Sequence, residues 1–539
     1  MRFHYLAALM LGASLTALAE GYTDGIEYYK AGQYDNAITV LDKNMNAPAT
    51  DKALANYYLG QAYLHKGDKA KAKQYFEAGI SANPDCGYNY VGLGALALLD
   101  GNKSLAEDNF KKAQNLAKKN SEITVDIARA YYNADPVAYS KDIEKYITKA
   151  RKDSKNQEPS IYIFEGDRLS KDRNYNDAAA QYEQAINFDS DNPAAYVKYA
   201  NTYFYVVPQY AIQRLEELLQ KQPNSALAQR ELAEKYYDNG QITRAASQYG
   251  KYMANPNHFP QDKARYAVLL FADKKYDDAI RTANEVLAQT PNDLTLDRII
   301  YRSLNELGQS EQALAAAEKF FTNNEYAGRY NAGDYIAYSQ MLANGQQIDR
   351  ALEVLQQGRA NLPEDKSLLQ QLVNVQSSAE RNIDAFETHL QYMGQLENPS
   401  SQDYNTGSLL ALAAVVDAKD DEALRNKYAE IGLKYVDNMI NPDAPSANLL
   451  LRKVQILLNR NAGAVDPDSE AAILKLMDVL DANPENANPA NPSNSLNVYR
   501  ILYNQLVNYY DRIGDKESGD AARAKLHNYS DLMQAQSAE

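Results

Sequence analysis

The residue types that carry chemistry in enzymes are present in this chain, but they are not grouped. Five histidines lie at positions 4, 65, 258, 389 and 527 of the 539 residues. Their spacing fits no metal site, and the chain has no G-x-S-x-G elbow, no H-E-x-x-H motif and no G-x-x-x-x-G-K-[ST] phosphate loop. The sequence therefore predicts a protein that is not an enzyme and holds no metal or cofactor.

Two short segments imitate ligand-binding motifs. Gly92–Ala97 resembles part of a dinucleotide fingerprint, but no strand or βαβ unit surrounds it. Asp466, Asp468 and Glu470 alternate as calcium ligands do, yet the glycine and the final glutamate of a calcium loop are missing. Capping of the following helix by Asp468 or Ser469 explains the acidic segment better.

Composition and charge narrow the class of protein. The formal net charge of -15 opposes nucleic-acid binding, which needs a basic surface. Cys86 is the single cysteine, so an intrachain disulfide is impossible. Because single cores stop growing at about 250 to 300 residues, a chain of this length is expected to be divided or repetitive.

The elements that could position a binding site are repeats. Two successive stretches, 53–86 and 87–120, carry the same small, large and helix-breaking residues at equivalent places. The first copy has Leu59, Gly60, Gly67, Ala72 and Phe76, and the second has Leu93, Gly94, Gly101, Ala106 and Phe110. Small residues suit a close helix crossing, and the glycine between the helices suits a left-handed helix end. This pattern resembles the tetratricopeptide repeat (TPR) family.

The resemblance implies an all-α fold, a right-handed α-solenoid of stacked antiparallel helix pairs, about fourteen in number. The pattern is clear to residue 363 and then decays. The predicted organisation is a signal peptide at 1–19, a TPR solenoid at 20–363, divergent TPR-like helix pairs at 364–482, an Asn- and Pro-rich loop at 483–494 and a C-terminal helix pair, or cap, at 495–539. A separate helical domain at the C-terminus is the competing interpretation.

The first residues indicate export. Arg2 precedes an apolar run from Tyr5 to Leu11, and Ala17-Leu18-Ala19 fits an A-x-A cleavage rule. The apolar run is shorter than the ~20 residues of a spanning helix, which disfavours a membrane anchor. We expect a mature chain that begins at Glu20, carries no integral membrane segment and lies in the periplasm or cell envelope, with a Gram-negative bacterium favoured.

One position in the first helix of each repeat suggests a candidate partner site. It is the position directly after the Tyr of the repeat pattern, and in the TPR family this face of the helix lines the concave groove. Aromatic or aliphatic residues recur there, and mixed charges lie beside them. The candidate groove residues are Arg129, Tyr132, Asp167, Lys198, Asn201, Phe204, Arg230, Glu234, Tyr237, Arg265 and Phe271. Such a mixture suits an extended peptide or a partner helix. The alternative is that these aromatics pack between repeats, like many of the 43 tyrosines.

The expected function is a non-catalytic protein-protein interaction scaffold or adaptor of the bacterial cell envelope. Its partner would be a protein or peptide of unknown identity, with no nucleic acid. An accessory subunit of an envelope secretion, assembly or polysaccharide-processing system is an alternative, and a structural spacer is another. Scaffold and spacer differ only in whether the groove binds a partner.

Overall fold

The described part of the chain is helical throughout. The computed structural model describes residues 21–117 and 120–538, with side chains through residue 534. These residues form 28 α-helices, two short 3-10 turns and no strand. The helices are α1 (Gly21–Lys30), α2 (Tyr34–Asn44), α3 (Lys52–His65), α4 (Lys69–Ala82), α5 (Gly87–Leu99), α6 (Lys103–Ala117), α7 (Ser121–Ala134), α8 (Ser140–Ser154), α9 (Pro159–Lys171), α10 (Tyr175–Phe188), α11 (Pro193–Tyr203), α12 (Pro208–Lys221), α13 (Ala226–Asp238), α14 (Ile242–Met253), α15 (Asp262–Ala272), α16 (Tyr276–Leu287), α17 (Leu294–Glu306), α18 (Ser310–Thr322), α19 (Ala332–Asn344), α20 (Ile348–Asn361), α21 (Lys366–Ser378), α22 (Asn382–Gly394), α23 (Ser401–Asp417), α24 (Glu422–Met439), α25 (Ala447–Arg460), α26 (Pro467–Asp481), α27 (Leu496–Ile513) and α28 (Lys516–Ala538). Consecutive helices pack against each other in pairs, so the predicted all-α solenoid of helix pairs is confirmed.

The chain divides into two compact units between Ser303 and Leu304, within α17. The first unit contains α1 to α16 and the second contains α18 to α28. The boundary expected at residue 363 followed the loss of the sequence pattern, whereas the division at Ser303 follows the contacts between helices. The expected signal peptide at 1–19 lies outside the described residues.

Each clear repeat pairs a glycine on its first helix with an aromatic ring on its second helix. Phe76 and Phe110 are fully buried, as are Ala72 and Ala106 one turn earlier. A β-carbon built on the facing glycine would lie under 3.0 Å from the ring. The matched pairs are Gly60 with Phe76, Gly94 with Phe110 and Gly166 with Tyr182. The ring therefore occupies the space that a side chain on the first helix would need.

The turn inside each helix pair keeps one geometry even where its glycine is absent. At Gly67 φ is +82°, and the amide of Asp68 donates to the Tyr63 carbonyl at 2.9 Å, which satisfies the end of α3. Other pairs place a larger residue in the same left-handed conformation, and these are Arg173, Lys274, Gln346 and Glu380. Glu380 lies where the sequence pattern decays, so the repeat geometry continues beyond the recognisable sequence.

The Asn- and Pro-rich segment 483–494 separates two pairs of helices near the C-terminus. α25 and α26 lie before this segment, and α27 and α28 follow it. A shared core includes Leu450, Leu476 and Tyr499, and Tyr499 stacks on Tyr529 with ring centroids 4.2 Å apart. The capping residue expected for α26 was wrong, because Asp466 caps this helix and Ser469 completes the capping box.

Candidate functional site

Helices α1, α3, α7, α9 and α11 of the first unit line a shared cavity of about 360 Å³. We call this lining surface the inner face. Aromatic rings come from Tyr29, Tyr58, Tyr132 and Phe164, and charged groups of both signs lie among them. A cavity of this volume lies within the range of small-molecule and side-chain pockets.

Asp167 on α9 is the centre of the charged network on the inner face. Its carboxylate accepts from Lys198 at 2.7 Å, from Arg129 at 3.0 Å and from the Tyr182 hydroxyl at 2.9 Å. Burial raises the pKa of Asp167, but the two cations outweigh burial, and the pKa lies below the usual value. The carboxylate therefore stays ionised near neutral pH and connects α7, α9, α10 and α11.

A second part of the network lies at the start of α7. Lys30 forms an ion pair with Glu122 at 2.7 Å, and Tyr57 donates to Asp126 at 2.9 Å. Burial would raise the pKa of Glu122, but the Lys30 ion pair outweighs burial and the pKa is lowered. Burial and the nearby Glu122 carboxylate raise the pKa of Asp126 to about 6, although Arg129 opposes the rise. The pKa of Asp126 therefore lies closer to neutral pH than that of an ordinary carboxylate.

A neighbouring cavity of about 280 Å³ extends the inner face toward α5. It shares Tyr29, Asp126 and Arg129 with the first cavity. His65 lies at both, and its ring stacks on Tyr34 with centroids 4.3 Å apart and an interplanar angle of 7°. The two cavities together give a surface that alternates flat rings with paired charges.

The structure brings four of the predicted groove residues together at the first cavity: Arg129, Tyr132, Asp167 and Lys198. Tyr132 packs edge-on against Phe164 with ring centroids 5.6 Å apart and keeps part of its surface accessible. These residues come from α7, α9 and α11, as expected for corresponding positions on successive first helices.

Four other predicted residues form a separate group between α13 and α15. Arg230 binds Asp262 with two hydrogen bonds, of 2.7 and 3.2 Å. Arg265 binds Glu234 at 2.9 Å, and its guanidinium carbon lies 4.0 Å from the centroid of the Tyr237 ring. These side chains connect adjacent repeats and do not line the first cavity.

The three remaining predicted residues differ in exposure. Phe204 is 6% exposed and packs in the core of the first unit, with Lys235 above its ring at 4.9 Å. Phe271 is half-buried against the core around Ala267, and Asn201 is exposed. The aromatic series therefore combines inter-repeat packing at Phe204 with an accessible ring at Tyr132.

The family models that match this chain fall on helices described above. Residues 53–86 and residues 208–257 each match a family model described as tetratricopeptide repeat. The first segment covers α3 and α4, and the second covers α12 to α14. The chain contains tetratricopeptide repeats. The search of curated proteins gives no match.

Solved structures similar to this chain share little sequence with it. The APC/C hetero-tetramer Cut9–Hcn1 is 11% identical, with 84% of this chain and 98% of that chain covered and a TM-score of 0.29. The C-terminal part of a TPR repeat-containing protein from Cytophaga hutchinsonii is 15% identical, with 50% and 99% covered and a TM-score of 0.33. Human IFIT1, solved as a dimer with m7Gppp-AAAA, is 13% identical, with 80% and 95% covered and a TM-score of 0.31. At these TM-scores the likenesses carry nothing further about this chain.

Several residues at the first cavity were not predicted from the sequence. Arg168 and Lys171 lie at the end of α9, both exposed and with no carboxylate partner among the residues that the structure describes. Their charged groups lie 5.6 and 5.3 Å from the centroid of the Tyr132 ring. Arg168 is the residue next to the predicted Asp167. Asp126 lies one helical turn before the predicted Arg129. The positions of the predicted residues could therefore have indicated Arg168 and Asp126.

No group of three or more metal-ligating side chains occurs within the described ranges 21–117 and 120–538. Among the helices that the structure describes, none is long and apolar enough to cross a membrane. Cys86 is a half-buried free thiol, and burial raises the pKa of this thiol. The rings and charged groups of the inner face can bind through stacking, hydrogen bonds and charge, which are the interactions of a recognition surface.

Proposed function

We propose that the inner face of the first unit binds a segment of a partner polypeptide. Tetratricopeptide repeats indicate a protein-protein interaction scaffold in general. The observation that supports this location is the first cavity, where Tyr132, Arg168 and Lys171 are accessible beside a network of paired charges. Because the network charges already neutralise one another, Arg168 and Lys171 are the charged groups there whose desolvation a partner has to compensate.

The exposed cations suggest how a partner would be oriented. Arg168 and Lys171 lie above the Tyr132 ring, so the ring and the cations form one surface. A carboxylate of the partner could accept hydrogen bonds from the two cations, and an apolar or aromatic side chain could pack on the ring. A segment with an acidic residue beside an aromatic residue satisfies both requirements.

A site-specific photo-crosslinker tests the location. Asn133 is exposed at the edge of both cavities, whereas Lys111 is exposed on α6 and lines neither of them. A benzophenone side chain at position 133 is expected to trap a polypeptide in cells of the native organism, and one at position 111 is not. Equal trapping at both positions, or trapping at neither, would contradict binding at the inner face.

The triple change Tyr132→Ala, Arg168→Ala and Lys171→Ala is expected to weaken binding of the trapped partner by about tenfold or more, or roughly 1.4 kcal/mol. Arg168 and Lys171 are exposed and Tyr132 is half-buried at the edge of the core, so the change removes contact area and charge mainly from the accessible surface. Equilibrium binding to the purified partner measures the loss. The matched control removes the same three side-chain types from exposed positions elsewhere, and it combines Tyr210→Ala, Arg281→Ala and Lys111→Ala. An equal loss in the control would assign the effect to surface charge in general.

We also propose that the protein acts after export, in the bacterial cell envelope. The support is the pattern of a basic start, an apolar run and Ala17-Leu18-Ala19 in residues 1–19. The mature chain is expected to begin at Glu20, since Ala17 and Ala19 suit a signal peptidase. Intact mass spectrometry of protein from native cells checks this, and a chain that retains Met1 would contradict export.

A further inference from the structure

A groove between α10 and α12 is a second concave surface of the first unit. It has a volume of about 430 Å³, and its lining includes Glu183 of α10 and Arg214 of α12. The rings of Tyr199 and Tyr203, on α11, also line it. None of the described residues that line this groove lines the first cavity. We call it the α12 groove, and it is separate from the inner face.

Tyr203 holds the position of the Tyr in the repeat pattern, as Tyr63 and Tyr236 do in their own helix pairs. In those two pairs a cation from the second helix lies over the ring. Lys71 Nζ is 4.8 Å from the centroid of the Tyr63 ring, and the guanidinium carbon of Arg244 is 4.3 Å from that of the Tyr236 ring. Such contacts are attractive because the face of an aromatic ring is electrostatically negative.

The sixth helix pair, α11 with α12, departs from this arrangement. Ala211 follows Tyr203 by eight positions, one fewer than separates the equivalent alanine from Tyr63 or Tyr236. The residue directly before that alanine is a lysine or an arginine in the other two pairs, and it is Tyr210 here. Among the described residues, no lysine or arginine lies over the Tyr203 ring, which is half-buried and lines the groove. The shorter turn therefore leaves the face of this ring available.

The charge of the α12 groove favours a cation as its ligand. Arg214 is the only cation among the described residues that line the groove, and two carboxylates bind it, those of Glu183 and, at 2.7 Å, Glu217. Its guanidinium carbon lies 6.0 Å from the centroid of the Tyr199 ring. Because two carboxylates surround one guanidinium, negative charge is in excess there. The Glu183 side chain is 41% exposed, so its oxygens can accept further hydrogen bonds from a ligand.

We propose that the α12 groove binds a lysine or arginine side chain of a partner polypeptide. The cationic group lies on the face of Tyr203 and donates hydrogen bonds to Glu183. It takes the place that Lys71 and Arg244 hold in their own repeats. This goes beyond the proposed function, because the groove is a second site with the opposite preference. The exposed cations of the inner face suit an acidic residue, whereas the α12 groove suits a basic one.

A fluorine label on the Tyr203 ring tests the proposal in the full chain. 3-Fluorotyrosine at position 203 is titrated with the acetylated and amidated peptide Gly-Ser-Arg-Ser-Gly, and with the same peptide carrying citrulline, which has the shape of arginine without its charge. The arginine peptide is expected to shift the fluorine resonance saturably and to bind about threefold or more tightly than the citrulline peptide. No shift, or equal affinity for the two peptides, would overturn the proposal.

The same label at position 236 is the matched control, because Arg244 covers that ring. No shift is expected there, and an equal response at 203 and 236 would show nonspecific association of the peptide and overturn the proposal.

Two substitutions at the exposed Tyr210 test whether an internal cation competes for the Tyr203 ring. Tyr210→Arg places a cation where Arg244 stands in its repeat, and it is expected to weaken binding of the arginine peptide by about threefold or more. Tyr210→Gln removes the same ring without adding charge, and it is expected to leave the affinity within about twofold. An equal loss in both variants would assign the peptide to Tyr210 rather than to the face of Tyr203, and would overturn the proposal. Circular dichroism of both variants checks that the helical fold is retained.

Discussion

Gly94→Ala is expected to lower the free energy of unfolding by about 2 kcal/mol, because the substitution overpacks a helix crossing. The added methyl group would lie under 3.0 Å from the ring of Phe110, which is fully buried and cannot swing into solvent. Overpacking of this kind costs about 1 to 3 kcal/mol, and the better helix propensity of alanine returns at most about 1 kcal/mol. Urea unfolding of the full chain followed by circular dichroism measures the change.

Two further variants distinguish overlap with the Phe110 ring from a general effect of replacing glycine by alanine. Gly394→Ala adds the same methyl group at the end of α22, where nothing lies within 4 Å, and a change within about 0.5 kcal/mol is expected. Gly94→Ala with Phe110→Leu is expected to cost less than the sum of the two single changes, because the smaller side chain makes room for the methyl group. Strict additivity would mean that the two positions do not share this space.

Asp167→Asn is expected to lower the free energy of unfolding at neutral pH by about 2 kcal/mol, because hydrogen bonds to charged groups contribute about 1.5 to 3 kcal/mol. The change leaves Arg129 and Lys198 without the carboxylate that both bind. The Asp167 side chain is only 25% exposed, so solvent screens these bonds weakly. Unfolding measurements on the variant and the parent chain at several pH values give the difference.

The pH dependence has a defined sign. The folded-state pKa of Asp167 is lowered, so its contribution is fully present above the ordinary carboxylate pKa of about 3.9 and is lost as the pH falls through the folded-state value. The difference between Asp167→Asn and the parent chain should therefore be constant from neutral pH to about pH 5 and shrink in stronger acid. Asp100→Asn is the matched control, because its ion pair with Lys69 is largely exposed and is expected to contribute at most about 1 kcal/mol. A difference that grows in acid would contradict the network.

The helix pairs could be predicted from the sequence because the residues that define each pair lie close together within one repeat. Gly60 and Phe76 hold the same relative positions in the first copy as Gly94 and Phe110 hold in the second. The glycine signal of the turn was less complete, since Arg173, Gln346 and Glu380 take the left-handed conformation that glycine marks in the clear repeats. The packing of the turn against its helix ends holds that conformation without a glycine to indicate it.

The candidate site was less predictable than the fold. Arg129, Tyr132, Asp167 and Lys198 were found because equivalent positions on successive first helices lie side by side. The wall contributed by Tyr29 and Lys30 has no such signal, because it depends on contacts such as that of Gln33 with the distant Glu231. The periodicity of the sequence does not predict which distant repeats contact each other.

The matched glycine and aromatic ring in each clear repeat restrict how the sequence can drift. Alanine at Gly94 overlaps with Phe110, whereas leucine at Phe110 leaves a void beside Gly94. Either single substitution is therefore destabilising, and only a second substitution at the partner position relieves the destabilisation. Exchange of whole repeats between proteins avoids this barrier when the segment carries both members, but a graft cut between α5 and α6 separates Gly94 from Phe110 and creates the overlap or the void at the junction.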